Sequence, residues 1–136
     1  MSGESYDFYI CNHEADNDKA FQILETLEKK NGLKGFHDER DAQPGQYVIR
    51  NIEKAIESSR FILLVLSEQS MEDGWFEMKL NTGLTHRLFS ALRDSIIPVY
   101  VAPSDGELTV PTALNSIRGI DYSEDPRFFD KLSKIF

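Results

Sequence analysis

Six consecutive apolar residues, Phe61-Ile62-Leu63-Leu64-Val65-Leu66, constrain the fold of this chain more than any other feature. The run has the length of a strand and does not alternate between apolar and polar side chains. A strand with one face in water alternates, whereas a strand of a parallel sheet is covered on both faces and is apolar throughout. We therefore predict that Phe61–Leu66 is a central strand of a parallel sheet.

Four weaker segments predict the other strands. Tyr6–Ile10 is aromatic and β-branched, which is typical of a strand. Pro98, in the segment Ser95–Val101, lacks a backbone donor, so this strand is expected near the sheet edge or at a bulge. The four segments are Tyr6–Ile10, Lys34–His37, Ser95–Val101 and Ile117–Ile120.

Helical spacing of apolar residues separates these strands. A first helix carries Ala20 to Leu27 and ends at Asn31-Gly32, since glycine is favoured just past a helix end. A second helix carries Val48 to Ile56, and a third runs from about Ser70 to Leu92. The last helix begins at Asp125-Pro126, an N-cap residue followed by a first-turn proline.

Strands and helices alternate with short links, which predicts right-handed crossovers and a parallel sheet covered by helices on both faces. We expect an α/β, flavodoxin-like three-layer sandwich with about five strands in the order 2-1-3-4-5. The 136 residues suit one domain. The chain ends on Leu132-Ser133-Lys134-Ile135-Phe136 without a polar tail, so we expect residues 1–136 to be a single domain cut from a longer protein.

Charge and composition limit the partners. The net charge is −8, whereas a reader of nucleic acid or anionic lipid shows a basic face, so a basic protein surface is the better expectation. No apolar run approaches the roughly 20 residues that span a bilayer. Cys11 is the one cysteine, which fits a reducing, cytoplasmic compartment and a buried, inert thiol.

The residues that common enzyme chemistries need are missing from the expected places. The third strand ends in Ser67-Glu68, without the aspartate of a phospho-accepting receiver. Neither GxxxxGK[ST] nor GxGxxG occurs. The three histidines, His13, His37 and His86, lack metal-ligand spacing with the lone cysteine and are predicted to be solvated. We therefore expect no catalytic residue, no metal and no cofactor.

A charged loop, Glu39 to Gln46, lies between the second strand and the second helix. Its Gln43-Pro44-Gly45-Gln46 has the chemistry of a type II turn, with proline fixing φ near −65° and glycine supplying the positive φ. A stiff, exposed tip loses little conformational entropy when it docks. The loop is thus suited to contact, although a plain strand-to-helix connection would look similar.

Three segments together resemble the boxes of a TIR domain, the Toll/interleukin-1 receptor signalling module. Tyr6-Asp7-Phe8-Tyr9-Ile10-Cys11-Asn12 resembles the first box, usually (F/Y)DAFISY. Arg40-Asp41-Ala42-Gln43-Pro44-Gly45 matches all four fixed positions of the second box, RDxxPG. Arg127-Phe128-Phe129-Asp130 resembles the third. The likeness covers nearly the whole chain and, within the family, is strongest to the TICAM adaptor group, through Asp73-Gly74-Trp75-Phe76 and Val110 to Ile117.

The resemblance also bears on catalysis. Some TIR domains cleave NAD with a glutamate four residues after the tryptophan-like position, and that position is Lys79 here. A cation cannot stabilise a developing oxocarbenium charge. Glu72 and Glu77 lie nearby and leave open a TIR-type NAD hydrolase with a displaced carboxylate.

The function implied by the resemblance is that of a cytosolic adaptor in Toll-like-receptor-type innate immune signalling, which acts through association with other TIR domains and weakly with itself. The cytosolic domain of a receptor is a further alternative. The docking residues it implies are Arg40, Asp41, Ala42, Gln43, Pro44 and Gly45. A weaker second contact is Met71, Glu72 and Asp73 at the start of the third helix, with Met71 expected to be exposed.

Overall fold

A computed structural model describes residues 6–41, 45, 48–72, 74, 95–101, 119–122 and 126–136. Five strands form one sheet in the order β2-β1-β3-β4-β5. The strands are β1 (Tyr6–Cys11), β2 (Gly35–His37), β3 (Ser59–Leu66), β4 (Ile96–Tyr100) and β5 (Ile120–Asp121). Every neighbouring pair is parallel, so the predicted flavodoxin-like sheet and its strand order are confirmed.

Helical segments connect these strands. They are a 3-10 turn (Glu14–Asp16), α1 (Asn17–Asn31), α2 (Asp38–Asp41), α3 (Val48–Ser58), α4 (Glu68–Glu72) and α5 (Pro126–Ser133). Gly32 follows α1 at φ 63° and its N–H donates to the Leu27 carbonyl, so the predicted glycine end of α1 is confirmed. The last helix begins at Pro126 as predicted, while the predicted third helix beyond residue 72 lies outside the described residues.

The central strand β3 explains why the sheet is covered on both sides. Leu63 and Val65 pack on one face with α1 and α5, whereas Ile62, Leu64 and Leu66 pack on the other face with α3. All five are fully buried. The unbroken apolar run follows from this two-sided burial.

Two strand details can be compared with the sequence expectations. The fifth strand lies at Ile120–Asp121, so it shares Ile120 with the predicted segment, of which residues 117 and 118 lie outside the described residues. β4 is the second strand from the edge and pairs with β5 through Val99 and Tyr100. Pro98 stands one residue before that pairing, which fits the expected position near the sheet edge.

The three-residue strand β2 is held close to its neighbours by Gly35. A Cβ at this position would lie 2.6 Å from Leu24 Cδ1 of α1, and closer still to the ring of Phe8. The missing side chain therefore lets β2 pair with β1 directly beneath α1. The carboxyl ends of β1, β2 and β3 then lie at one edge of the sheet. Hydrogen-bonded polar side chains, among them Asn12 and His37, lie at this edge.

Candidate protein-docking site

The turn α2 follows β2 without an intervening residue. The sequence suggested a loop from Glu39, whereas Asp38–Asp41 is helical, so the loop proper begins after Asp41. Negative side chains favour the amino end of a helix because its N–H groups are unpaired there, and three of these four residues are acidic. Each of the four side chains also has a partner elsewhere in the fold.

His37 caps this turn. The Glu39 N–H donates to His37 Nδ1 at 3.1 Å, and the His37 N–H donates to Asp41 Oδ2 at 2.9 Å. The exchange resembles a capping box, with an imidazole in the place of the usual hydroxyl. His37 is 3% exposed, so the prediction of a solvated histidine is wrong at this position.

The protonation state of His37 follows from its contacts. Nδ1 accepts a hydrogen bond, so Nε2 carries the proton and donates to Asn12 Oδ1 at 2.8 Å. The ring also lies against Phe21, with centroids 4.5 Å apart. Burial lowers the pKa of His37 below its ordinary value, against the opposite influence of Asp38, Glu39 and Asp41. The imidazole is therefore neutral at pH 7.

Two asparagines extend this network to α1. Asn12 Nδ2 donates to Asn17 Oδ1 at 2.8 Å and to the His13 carbonyl at 2.8 Å. Asn17 Nδ2 in turn donates to Glu39 Oε2 at 3.1 Å. The first residue of α1 is thereby connected to the second residue of α2.

Asp38 is held by the sheet itself. The Tyr9 hydroxyl donates to both carboxylate oxygens of Asp38, at 2.8 and 2.9 Å. Tyr9 is fully buried, and burial, then Cys11 and Asp38, raise the pKa of its hydroxyl well above 10. Tyr9 thus remains a donor throughout the physiological range.

Arg40 is the third anchored residue. Its Nη1 and Nη2 donate to Glu28 Oε1 and Oε2 at 2.6 and 3.0 Å, and its Nε donates to Asp41 at 2.9 Å. Nη2 also donates to the Gly35 carbonyl at 3.1 Å. Hydrogen bonding to Glu28 raises the pKa of Arg40 above its ordinary value. Arg40 and Asp41, two of the docking residues that the family resemblance implies, are therefore paired within the chain.

The tip of the loop is described at Gly45. This residue has φ 84° and is exposed, with nothing within 4 Å of where a Cβ would stand. The predicted positive φ, which suits the third position of a type II turn, is confirmed. Three residues of the proposed docking loop, Ala42, Gln43 and Pro44, lie outside the described residues.

The second candidate contact, at α4, fits the prediction less well. Met71 is half-buried and packs against the α3-side core, so its expected exposure is wrong. The backbone of Glu72 ends α4, while Asp73 and Lys79 lie outside the described residues.

Ahead of α4, buried polar groups close the third strand. Ser67 Oγ donates to a carboxylate oxygen of Asp16, and Asp16 is 4% exposed. The Ser67 N–H donates to Ser70 Oγ at 2.8 Å. Cys11 is buried as predicted. Within the described ranges, no group of three or more His, Cys, Asp or Glu is placed to hold a metal ion, and no helix there is long and apolar enough to cross a membrane.

The sequence indicated the loop but not its anchors. His37, Tyr9 and Glu28 were not predicted as partners of α2, because the sequence alone does not show that β1 and α1 lie beside this turn or that a histidine caps it. Glu28 gave one hint, since it lies only about 40° round the helix from the buried Leu24. That places a carboxylate at the border of the buried face of α1.

The family follows from a profile of TIR domains, which matches residues 8–136. The chain belongs to the TIR domain family. The crystal structure of the TIR domain of a Toll-related receptor from Hydra magnipapillata superposes with a TM-score of 0.74 at 27% identity, over 96% of this chain and 98% of that one.

Relatives with different activities are similar to this chain. An NAD(+) hydrolase, TcpA, from a Theionarchaea archaeon is 32% identical over 86% of this chain and 37% of its own length. TIR domain-containing adapter molecule 2 of Mus musculus is 25% identical over 95% of this chain and 56% of its own length. The chain thus spans well under two thirds of either protein.

Proposed function

We propose that this TIR domain is a signalling adaptor module that docks onto other TIR domains through the loop Arg40–Gly45. The observation that carries the proposal is the contrast between the base and the tip of this loop. At the base, four consecutive side chains of α2 are hydrogen-bonded to the rest of the fold. At the tip, Gly45 is exposed in a left-handed conformation.

This contrast favours recognition because ordering is already complete at the base. A segment that is fixed before it binds loses less conformational entropy on docking. Pro44 fixes one backbone angle of the tip and Gly45 permits another. The charges of Arg40 and Asp41 are satisfied within the chain, so the contact is expected to come from the tip, at residues 42–45, rather than from those two charges.

Several relatives support this reading, among them the mouse adaptor and a Toll-like receptor 4 of Pinctada imbricata that is 24% identical over 82% of this chain. TIR domains of receptors and adaptors are the proposed partners. The chain is proposed to act in the cytoplasm, without nucleic acid and without insertion into a membrane. Within the family we propose the TICAM adaptor group.

The test compares Pro44→His with Lys131→His, which changes an exposed residue of α5. Sedimentation velocity measures self-association from dilute to about millimolar protein, the range of weak contacts. We expect Pro44→His to weaken association at least about fivefold while the free energy of unfolding changes by about 1 kcal/mol or less, as is usual for an exposed turn. Lys131→His should change neither.

Two results would contradict the proposal. Unfolding of Pro44→His would show that the loop is structural. A tight dimer that persists at every concentration and is indifferent to Pro44→His would place the contact elsewhere.

A second function, NAD hydrolysis, is favoured by the 32% identity to the archaeal hydrolase. Against it stands Lys79 at the position where the family resemblance implies a glutamate. Incubating concentrated protein with NAD and measuring nicotinamide release separates the two functions. We expect no release; turnover that disappears in Glu72→Gln or Glu77→Gln would establish the hydrolase.

A further inference from the structure

Glu28 lies outside the docking loop, in the last turns of α1, yet one carboxylate there contacts both the loop base and the sheet. Oε1 accepts from Arg40 Nη1 at 2.6 Å, and Oε2 accepts from Arg40 Nη2 at 3.0 Å. Oε2 also accepts a longer hydrogen bond, of 3.4 Å, from the Gly35 N–H. Two parallel N–H···O bonds between a guanidinium and a carboxylate fix direction as well as distance.

The Arg40 side chain is further constrained on its other sides. Asp41 holds Nε, and the Gly35 carbonyl accepts from Nη2. A lysine at this position would supply the charge but not the planar fork that meets three acceptors at once. Glu28 is the side chain of this set that lies outside α2, so it is the group that connects the loop base to α1.

The same contacts cover the open edge of the sheet. The Lys34 carbonyl, just before β2, accepts from the Asp7 N–H, and backbone groups alternate in direction along a strand, so those of Gly35 and His37 face away from β1. The Gly35 N–H is taken by Glu28, the Gly35 carbonyl by Arg40, and the His37 N–H by Asp41. An unprotected edge strand invites pairing with another chain, and charged side chains are a common means of preventing it.

These observations assign a role to Glu28. We infer that Glu28 is the positioning residue of the docking loop: through Arg40 it fixes the direction in which the loop leaves the sheet, and with Arg40 and Asp41 it closes the β2 edge. The inference deepens the proposed function and rests on it for the docking step alone. The anchoring step stands on the contacts of Glu28 and can be measured without a partner.

The test uses Glu28→Gln, which keeps the side-chain shape and removes the charge. Glu25→Gln is the matched control, an exposed glutamate three residues earlier on α1. Hydrogen exchange measured residue by residue reports the anchor. We expect the amides of Gly35 and residues 38–41 to exchange about five- to tenfold faster in Glu28→Gln, the size expected for losing a charge-assisted pair. Glu25→Gln should exchange like the unchanged protein.

Self-association by sedimentation reports the docking step. Glu28→Gln should weaken it about threefold or more, and so should Arg40→Lys, which cannot make the bidentate pair. The double variant should be no weaker than Arg40→Lys alone, because Glu28 acts through Arg40. A residue that merely stabilised α1 would instead give independent, additive effects.

The possible failures are distinguishable. Exchange in Glu28→Gln equal to that in Glu25→Gln, or additive losses in the double variant, would overturn the role of Glu28. If Pro44→His leaves association unchanged, the docking function fails; faster exchange in Glu28→Gln would then still support the anchor, and unchanged exchange would overturn that too.

Discussion

His37 has two structural roles. It is the last residue of β2, and it caps α2 by accepting the Glu39 N–H at Nδ1 while its Nε2 donates to Asn12. This cap was not predictable from the sequence, because N-cap residues are usually Ser, Thr, Asp or Asn. His13 does the same at the 3-10 turn, where its Nδ1 accepts from the Ala15 N–H at 3.0 Å.

A pH dependence follows from the neutral state of His37. A proton on Nδ1 would face the Glu39 N–H and abolish the cap. Because burial lowers the folded-state pKa below 6.5, the unfolded chain binds this proton more readily. The stabilisation is therefore complete above about pH 6.5 and is lost as the pH falls towards the lower, folded-state pKa.

An NMR titration of the imidazole nitrogens tests this prediction. We expect a midpoint below 6.5 and the Nε2-protonated tautomer at pH 7.5. After correction for the intrinsic effect of pH, the Glu39 amide should exchange faster below the midpoint than above it. The acidic neighbours Asp38, Glu39 and Asp41 favour the protonated imidazole, whereas Arg40 opposes it. A midpoint at or above 6.5 would show that these carboxylates outweigh burial.

Two glycines near β2 are required for different reasons. Gly35→Ala would place a methyl group against Phe8 and Leu24, and overpacking of this kind typically costs about 1–3 kcal/mol. Gly32 has open space but a φ of 63°, so Gly32→Ala should cost about 1 kcal/mol from the backbone, and Gly32→Asn less. Urea unfolding of the three variants would rank them; equal costs for Gly35→Ala and Gly32→Asn would contradict the close approach.

At the scale of elements, the periodicity of apolar residues predicted the strands and helices that are defined by their own burial. It did not predict the helical turn that is defined by long-range contacts. The apolar run of β3, the spacing in α1 and the proline at the start of α5 were sufficient signals, since each depends on residues of the element itself. The helical turn α2 was missed because its cap and its partners come from β1, β2 and α1. The exposed Gly45 was predictable because a turn of this type depends on its own residues.

The junction after β3 illustrates a long-range polar contact with a measurable cost. Ser67 donates its hydroxyl to the buried Asp16, 51 residues earlier in the chain. Ser67→Ala would leave that carboxylate without this donor, and an unsatisfied buried group costs about 1–3 kcal/mol.

Chemical denaturation measures this cost. Ser133→Ala is the control, because the half-buried Ser133 donates its hydroxyl to the Phe129 carbonyl of its own helix at 2.7 Å, and its contact with exposed Asn31 Oδ1 is long, at 3.4 Å. The control should change the free energy of unfolding by about 0.5 kcal/mol or less. A Ser67→Ala variant as stable as the control would mean that water replaces the lost donor.

At the scale of the molecule, the fold alone does not separate association from catalysis. The same family includes relatives named as a hydrolase, as adaptors and as receptors. The anchored α2 and the exposed Gly45 support the proposed docking, whereas Met71 in α4 is half-buried against the α3-side core. The net charge of the chain predicts a further property, which is the salt dependence of self-association.

Two copies with a charge of −8 repel each other at neutral pH. The Debye length falls from about 30 Å at 0.01 M salt to about 8 Å at 0.15 M, so salt screens this repulsion between whole molecules. The docking contact is expected at a tip without a free charge pair, so salt has little attraction to weaken. Self-association should therefore strengthen as the salt concentration rises over this range, and binding to a basic protein surface should weaken.

Sedimentation equilibrium at the two salt concentrations measures the change in self-association. Pro44→His, which has the same charge at pH 7.5, should not show the strengthening with salt. Association that weakens with salt would instead indicate a contact built from opposite charges, with Arg40 released from Glu28.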